Sequence, residues 1–281
     1  MATITEMQRL FGEERINELL EAGRSGDFEA IKTLADYGHP PAVLFMGNAY
    51  YNGENGVSQD LDKAVFFYKK GAELNGPSCC CNLGLCYMMG HAVEKNYQKA
   101  VEMFKEGEAL IMQDDDEDYR KTAATTQINI ACCFGEGGFG LEQSSEKAAQ
   151  WWKKAAQLGN PRAQFTFGLL CVKGDGVEKN IDLAREWLTK SARSGYDSAE
   201  TLLNLLPLIG KWRWTTVTYE FRYNGTYSYI NTDSGKQVDG NYMVSDGNKV
   251  SFLGVGTFDR FVIQGDSLTF EDVRGVTFRR I

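Results

Sequence analysis

Seven cysteines, two histidines, two glycine-rich stretches and one acidic run are the residues whose chemistry needs weighing first. The cysteines are Cys79, Cys80, Cys81, Cys86, Cys132, Cys133 and Cys171. Neighbouring side chains on a helix point about 100° apart, so Cys79, Cys80 and Cys81 cannot all face one ion. No CxxC pair occurs, and His39 and His91 are the only histidines. Cys86 and His91 stand five apart and diverge too far for a thiolate–imidazole couple. GEGGFG (135–140) and GDG (174–176) lack the strand-to-helix context of a phosphate cradle. The DDDED run (114–118) lacks the spaced ligands and turn glycine of a calcium loop. HExxH and GxSxG are absent. The residues therefore predict no catalytic set, no cofactor and no metal. Reduced, buried thiols are expected instead, with a thiol-dependent enzyme as an alternative that insensitivity to alkylation would exclude.

The charge balance narrows the partners. The 281 residues carry a net −8, and from residue 208 onward 9 Lys and Arg face 8 Asp and Glu. Upstream the count is 21 against 30, so the first two thirds hold the negative charge. Nucleic-acid affinity rests largely on Lys and Arg, so an acidic body predicts no nucleic-acid partner. No run reaches the roughly 18 apolar residues that span a bilayer, so no membrane partner is expected. The opening MATITEMQRLFGEERINELL reads as a charged amphipathic helix without a signal-peptide core. A cytoplasmic location follows as an expectation.

The elements that must carry these residues are set by an internal repeat. Copies begin at Ala42, Cys79, Ala124 and Ala163, and a further first helix begins at Ala199. A first helix carries an apolar residue followed by Gly: Met46–Gly47, Leu83–Gly84, Phe167–Gly168. A glycine-bearing turn comes next. Asp60, Asn96, Ser144 and Asn180 then precede a small Ala by four residues and suit the N-cap of a second helix. Asn75, Gly159 and Gly195 suit its left-handed exit. Residues 5–37 read as N-terminal cap helices, and the leucine-rich stretch from 199 to 206 as a capping helix on which the following domain docks.

This grammar resembles the Sel1-like repeat, an α/α solenoid related to tetratricopeptide repeats. The third copy departs from it, with Asn129 at the glycine position and Cys132 in place of the usual Tyr. The resemblance implies a solenoid over 1–206, with first helices lining a concave binding face. By register that face takes Leu44, Asn48 and Tyr51 in the first copy and Cys81, Leu85, Met88 and Met89 in the second. The third supplies Thr126, Ile130 and Cys133, and the fourth Phe165, Leu169 and Val172. Most of the set is apolar, as a groove with an occupant requires. A register one residue out would make the same set core.

After Pro207 the hydrophobic period changes from near 3.6 to 2. Val217, Tyr219, Phe221 and Tyr223 alternate with polar residues, and Asn224–Gly225 signals a hairpin. Seven or eight short strands are expected over 208–281, as a small antiparallel β-barrel or bent meander sheet. Gly210–Lys211–Trp212 with Arg279 or Arg280 on the last strand resembles the lipocalin-like arrangement. There an arginine stacks over the first-strand tryptophan and closes one end. The whole is thus read as a multidomain α + β chain. Its expected function is a non-enzymatic protein–protein interaction scaffold holding a partner peptide or helix. Small-ligand binding in the β-domain, lined by Tyr219, Phe221, Tyr227 and Phe252, is the alternative.

Overall fold

The computed structural model describes residues 13–111, 117–245, 249–252, 256–264, 266–270 and 276–281. The first part of the expected N-terminal cap, residues 5–12, and Asp114–Asp116 of the acidic run lie outside them. Eleven helices and eight strands follow among the described residues. Packing divides the chain into two compact units, through Ala163 and from Gln164.

The first unit is built of helix pairs. Its helices are α1 (Glu13–Arg24), α2 (Phe28–Asp36), α3 (Pro40–Asn52), α4 (Leu61–Glu73), α5 (Pro77–Met89), α6 (Tyr97–Ile111), α7 (Glu117–Glu136) and α8 (Ser145–Gln157). The caps are those that the sequence implies. Asp60 and Asn96 each accept from the backbone N–H three residues on, at 3.0 and 2.9 Å. Ser144 does the same for Lys147 at 3.2 Å. Each satisfies one of the donors that a helix start leaves without a partner. At the exits, Asn75 and Gly159 take φ of +57° and +88° and turn the chain back along the solenoid.

The two helices of a repeat meet where one has no side chain. A Cβ on Gly47 would lie 2.6 Å from the Tyr68 ring, and one on Gly84 2.7 Å from the Phe104 ring. Both glycines thus let a large aromatic of the second helix lie flat on the first helix backbone. Cys79 stands where Ala42 and Ala124 stand in their own copies, and all three are buried. It fills the small gap over Gly71, at which a Cβ would collide with the sulfur.

The second unit continues with α9 (Pro161–Lys173, from Gln164 on), α10 (Ile181–Arg193) and α11 (Asp197–Leu205). Asn180 caps α10 through Leu183 N–H at 2.9 Å, and a Cβ on Gly168 would lie 2.9 Å from Leu188. Eight strands follow: β1 (Gly210–Trp214), β2 (Val217–Phe221), β3 (Thr226–Asn231), β4 (Lys236–Ser245), β5 (Lys249–Phe252), β6 (Gly256–Gln264), β7 (Ser267–Phe270) and β8 (Thr277–Arg280). They pair in sequence order, all antiparallel, and β8 returns to β1 through Trp212–Arg280 and Arg213–Arg279, closing the barrel. Closure leaves no edge strand unpaired. Leu205 and Leu208 enter the barrel core beside Trp212 and Phe221. The change from helix to strand falls between Leu205 and Gly210, whereas the packing boundary lies earlier, because these leucines tie the last helices to the barrel.

Replacing Gly84 with Ala should destabilise the fold by roughly 1–3 kcal/mol, because the Phe104 ring has to leave its position. The midpoint of urea unfolding measures it.

Candidate interaction surface

The first helices carry the residues picked out by register, and the structure separates them into two sets. Asn48 and Met89 are exposed, and Leu44, Tyr51, Leu85, Met88, Phe165 and Leu169 are half-buried. Cys81, Thr126, Ile130, Cys133 and Val172 are buried, the last four at 3 % exposure or less. These five are corrections: they are interior residues and offer a partner no surface. One contact shows the reason. Cys81 Sγ lies 3.2 Å from Thr126 Oγ1, so α5 and α7 meet directly at that register position. The register runs along the seam between neighbouring first helices in the third copy, where the long α7 buries all three of its positions.

Polar bridges that the sequence reading missed cross the same seams. Asn48 Oδ1 accepts from the Tyr68 hydroxyl at 2.9 Å and from Asn82 Nδ2 at 3.0 Å, linking α3, α4 and α5. The Tyr51 hydroxyl and His91 Nδ1 are 2.9 Å apart. Gln127 Nε2 donates to Glu108 at 2.6 Å, and the Tyr97 hydroxyl donates to Glu136. Partners 19 to 40 residues apart in the chain leave no local sequence signal. The copies' shared spacing, which puts Asn48 and Asn82 on successive first helices, was the only hint.

All seven cysteines are free, and six are buried, with Cys132 half-buried. Burial pushes Cys79 and Cys86 up to about 11, and Cys80 and Cys133 up to about 12. A thiol held protonated is a poor nucleophile and a poor metal ligand. Among the described residues no group of three or more His, Cys, Asp or Glu side chains could hold a metal ion.

In the second unit one barrel end is sealed. Trp212 is fully buried, its Nε1 donates to Leu208 O at 2.8 Å, and the Arg280 guanidinium sits 4.4 Å from its ring centroid. Arg280 also donates to Pro207 O at 3.0 Å. Arg280 thus takes the closing role expected of Arg279 or Arg280. Arg279 alternates to the outer face, where Nη1 donates to Ser267 Oγ at 2.5 Å. Further along, a cavity of about 160 Å3 opens between Trp214, Val217, Tyr219, Phe252, Phe270, Val276 and Phe278. Two of the four expected lining residues, Tyr219 and Phe252, border it. Phe221 and Tyr227 are packed solid, 6.4 Å apart between ring centres.

Glycine-seated helix pairs with capped starts and left-handed exits, followed by a closed antiparallel barrel, define an α/α helical-repeat protein with an appended β-domain. The chain belongs to the Sel1 repeat family, whose pattern matches residues 40–76, 77–108, 124–160 and 161–196. Proteins of this family are in general non-catalytic scaffolds for protein interaction. A Sel1 repeat protein from Oxalobacter formigenes is 26% identical, over 67% of this chain and 74% of that one, with a TM-score of 0.51. An ERAD-associated E3 ubiquitin-protein ligase component of Arabidopsis thaliana, HRD3B, is 38% identical over 80 residues. That stretch is 28% of this chain and only 12% of the plant protein. The c5321 protective antigen of uropathogenic Escherichia coli is 22% identical over 67% of this chain and half of its own, with a TM-score of 0.34.

The raised thiol values set a pH dependence. The folded state favours the neutral thiol, so this stabilisation is complete below the ordinary cysteine value of 9.0 and is lost as pH climbs towards 11. The thermal midpoint should fall steadily over that window. Replacing Cys79 and Cys86 with Ala should flatten the fall.

Proposed function

We propose that this chain is a cytoplasmic, non-enzymatic interaction scaffold that seats a partner's peptide or helix on the concave face formed by its first helices. The observation that carries the reading is the apolar strip on α5: Leu85 and Met88 half-buried and Met89 56 % exposed on one turn of helix. Leu44, Asn48 and Tyr51 extend it on α3, and Phe165 and Leu169 supply the corresponding positions on α9. Methionine suits such a surface because its unbranched, polarizable chain packs against varied shapes. The five buried register positions act behind it, holding neighbouring helices together. The family's general role and the plant relative, by name a component of an E3 ubiquitin-protein ligase, support a protein partner. Among the described residues no helix is long and apolar enough to cross a membrane. The acidic balance argues against nucleic acid.

The test is capture from native lysate by the full chain and by a Leu85→Glu/Leu169→Glu variant. Partners held by the strip should vanish from the variant while its helical circular dichroism stays the same. Equal capture by both would remove the strip from the account.

A second reading is favoured by the barrel cavity. Its lining is wholly aromatic and aliphatic, and burial keeps Tyr219 protonated by pushing its hydroxyl up to about 12. An apolar cavity near 150 Å3 accepts a benzene-sized molecule, so a single-ring ligand such as phenol fits. Phenol should raise the thermal midpoint, and Val217→Phe should abolish the rise by filling the space. No shift with the unaltered chain would leave the cavity a packing gap.

A further inference from the structure

We propose that the outer face of the barrel at β8, β1 and β2, with the cleft beside it, is a second interaction site that takes an acidic, extended peptide of a partner protein. The surface has the opposite sign to the chain as a whole. Arg213 and Arg279 are directly paired across β1 and β8, and both are exposed. Like charges directly opposite on a sheet destabilise it. Arg279 is met by a serine hydroxyl, and among the described residues no carboxylate is seen against either arginine. Two residues back along β1, Lys211 opens into a cleft of about 660 Å3 that Lys173, Lys179 and Arg222 also line. Glu220 is the one acid in that lining, shared between Lys211 at 3.7 Å and Arg222 at 3.2 Å, so the four cations outnumber it; Asp175 and Glu178, on the loop between the two lysines, are not part of it.

The chemistry of the occupant follows from this layout. Lys211 and Arg213 point outward from one strand, roughly 6.6 Å apart along it, which is the i, i+2 spacing of an extended chain. A peptide lying along β1 with carboxylates on alternate residues would meet both, and Arg279 would clamp the second carboxylate from the neighbouring strand. Arginine's planar fork suits that clamp. Ile209 and Tyr223 give the cleft an apolar floor for the intervening side chains, and Lys173 already lies 4.8 Å over the Tyr223 ring. A nucleic-acid strand offers anions but no such aliphatic side chains, and the acidic remainder of the chain repels it. The barrel is closed, so the peptide is held by side chains and not by adding a strand.

The experiment is fluorescence anisotropy with the full chain and a labelled octapeptide of alternating Glu and Val. Binding should weaken with salt. The Arg213→Gln/Arg279→Gln variant should lose about tenfold in affinity, and a Lys69→Gln control on α4 should lose none. The thermal midpoint of the double variant should hold or rise, because the repulsion is gone. Equal affinity of the double variant would overturn the proposal. So would a fall in its midpoint, which would make the arginine pair structural, or tighter binding of a single-stranded oligonucleotide or an anionic phosphatidylserine vesicle than of the peptide. Loss of this peptide leaves the first-helix strip untouched, and the Leu85→Glu/Leu169→Glu variant should still bind it.

Discussion

Everything in the solenoid rests on how closely two helices of one repeat can approach. At Gly47 and Gly84 the first helix presents bare backbone, and an aromatic ring from the second helix occupies the space a side chain would need. In the second unit Leu188 plays the ring's part over Gly168. In repeat proteins each unit packs chiefly on its neighbours, so the spacing inside one pair is inherited by the next. The third copy shows what else can satisfy the constraint. Asn129 stands where glycine does elsewhere, yet Trp152 stays buried on the second helix, and α7 extends to twenty residues.

That same constraint sets the surroundings of the thiols. Cys79 occupies a position that Ala42 and Ala124 hold in other copies, and the bare backbone of Gly71 leaves room for its sulfur. Desolvation then keeps the thiols protonated. Cysteine is being used as a small apolar residue that fills a gap slightly larger than a methyl group. With the interior spent on packing, interaction falls to what the helices and strands present outward.

The barrel solves its own closure problem at one end with one tryptophan. Trp212 is anchored by the Leu208 carbonyl, covered by Arg280 and packed against Leu205 and Leu208 from the end of the helical part. Strand alternation then dictates the fate of the two terminal arginines. Arg280 faces the closed end, and Arg279, one residue earlier, must face out beside Arg213. The stacked arginine that seals the barrel and the outward arginine that charges its surface are consequences of one period-2 pattern.

Much of this was legible in the residues themselves. Repeat phase, the Asp60, Asn96, Ser144 and Asn180 caps, the left-handed exits and the strands depend on local spacing, backbone sterics and hydrogen bonds within a few positions. Those interactions are encoded wherever the residues stand. Which first-helix positions remain open was decided by the tertiary structure alone. Cys81 and Leu85 share a helix and a period, yet Cys81 is buried because Thr126, forty-five residues later, arrives against it. The choice of Arg280 over Arg279, the cavity beside Tyr219 and the basic face at Arg213 likewise arise from groups brought together across strands and repeats. Burial is a property of neighbours, and for these residues the neighbours that matter are remote in the chain.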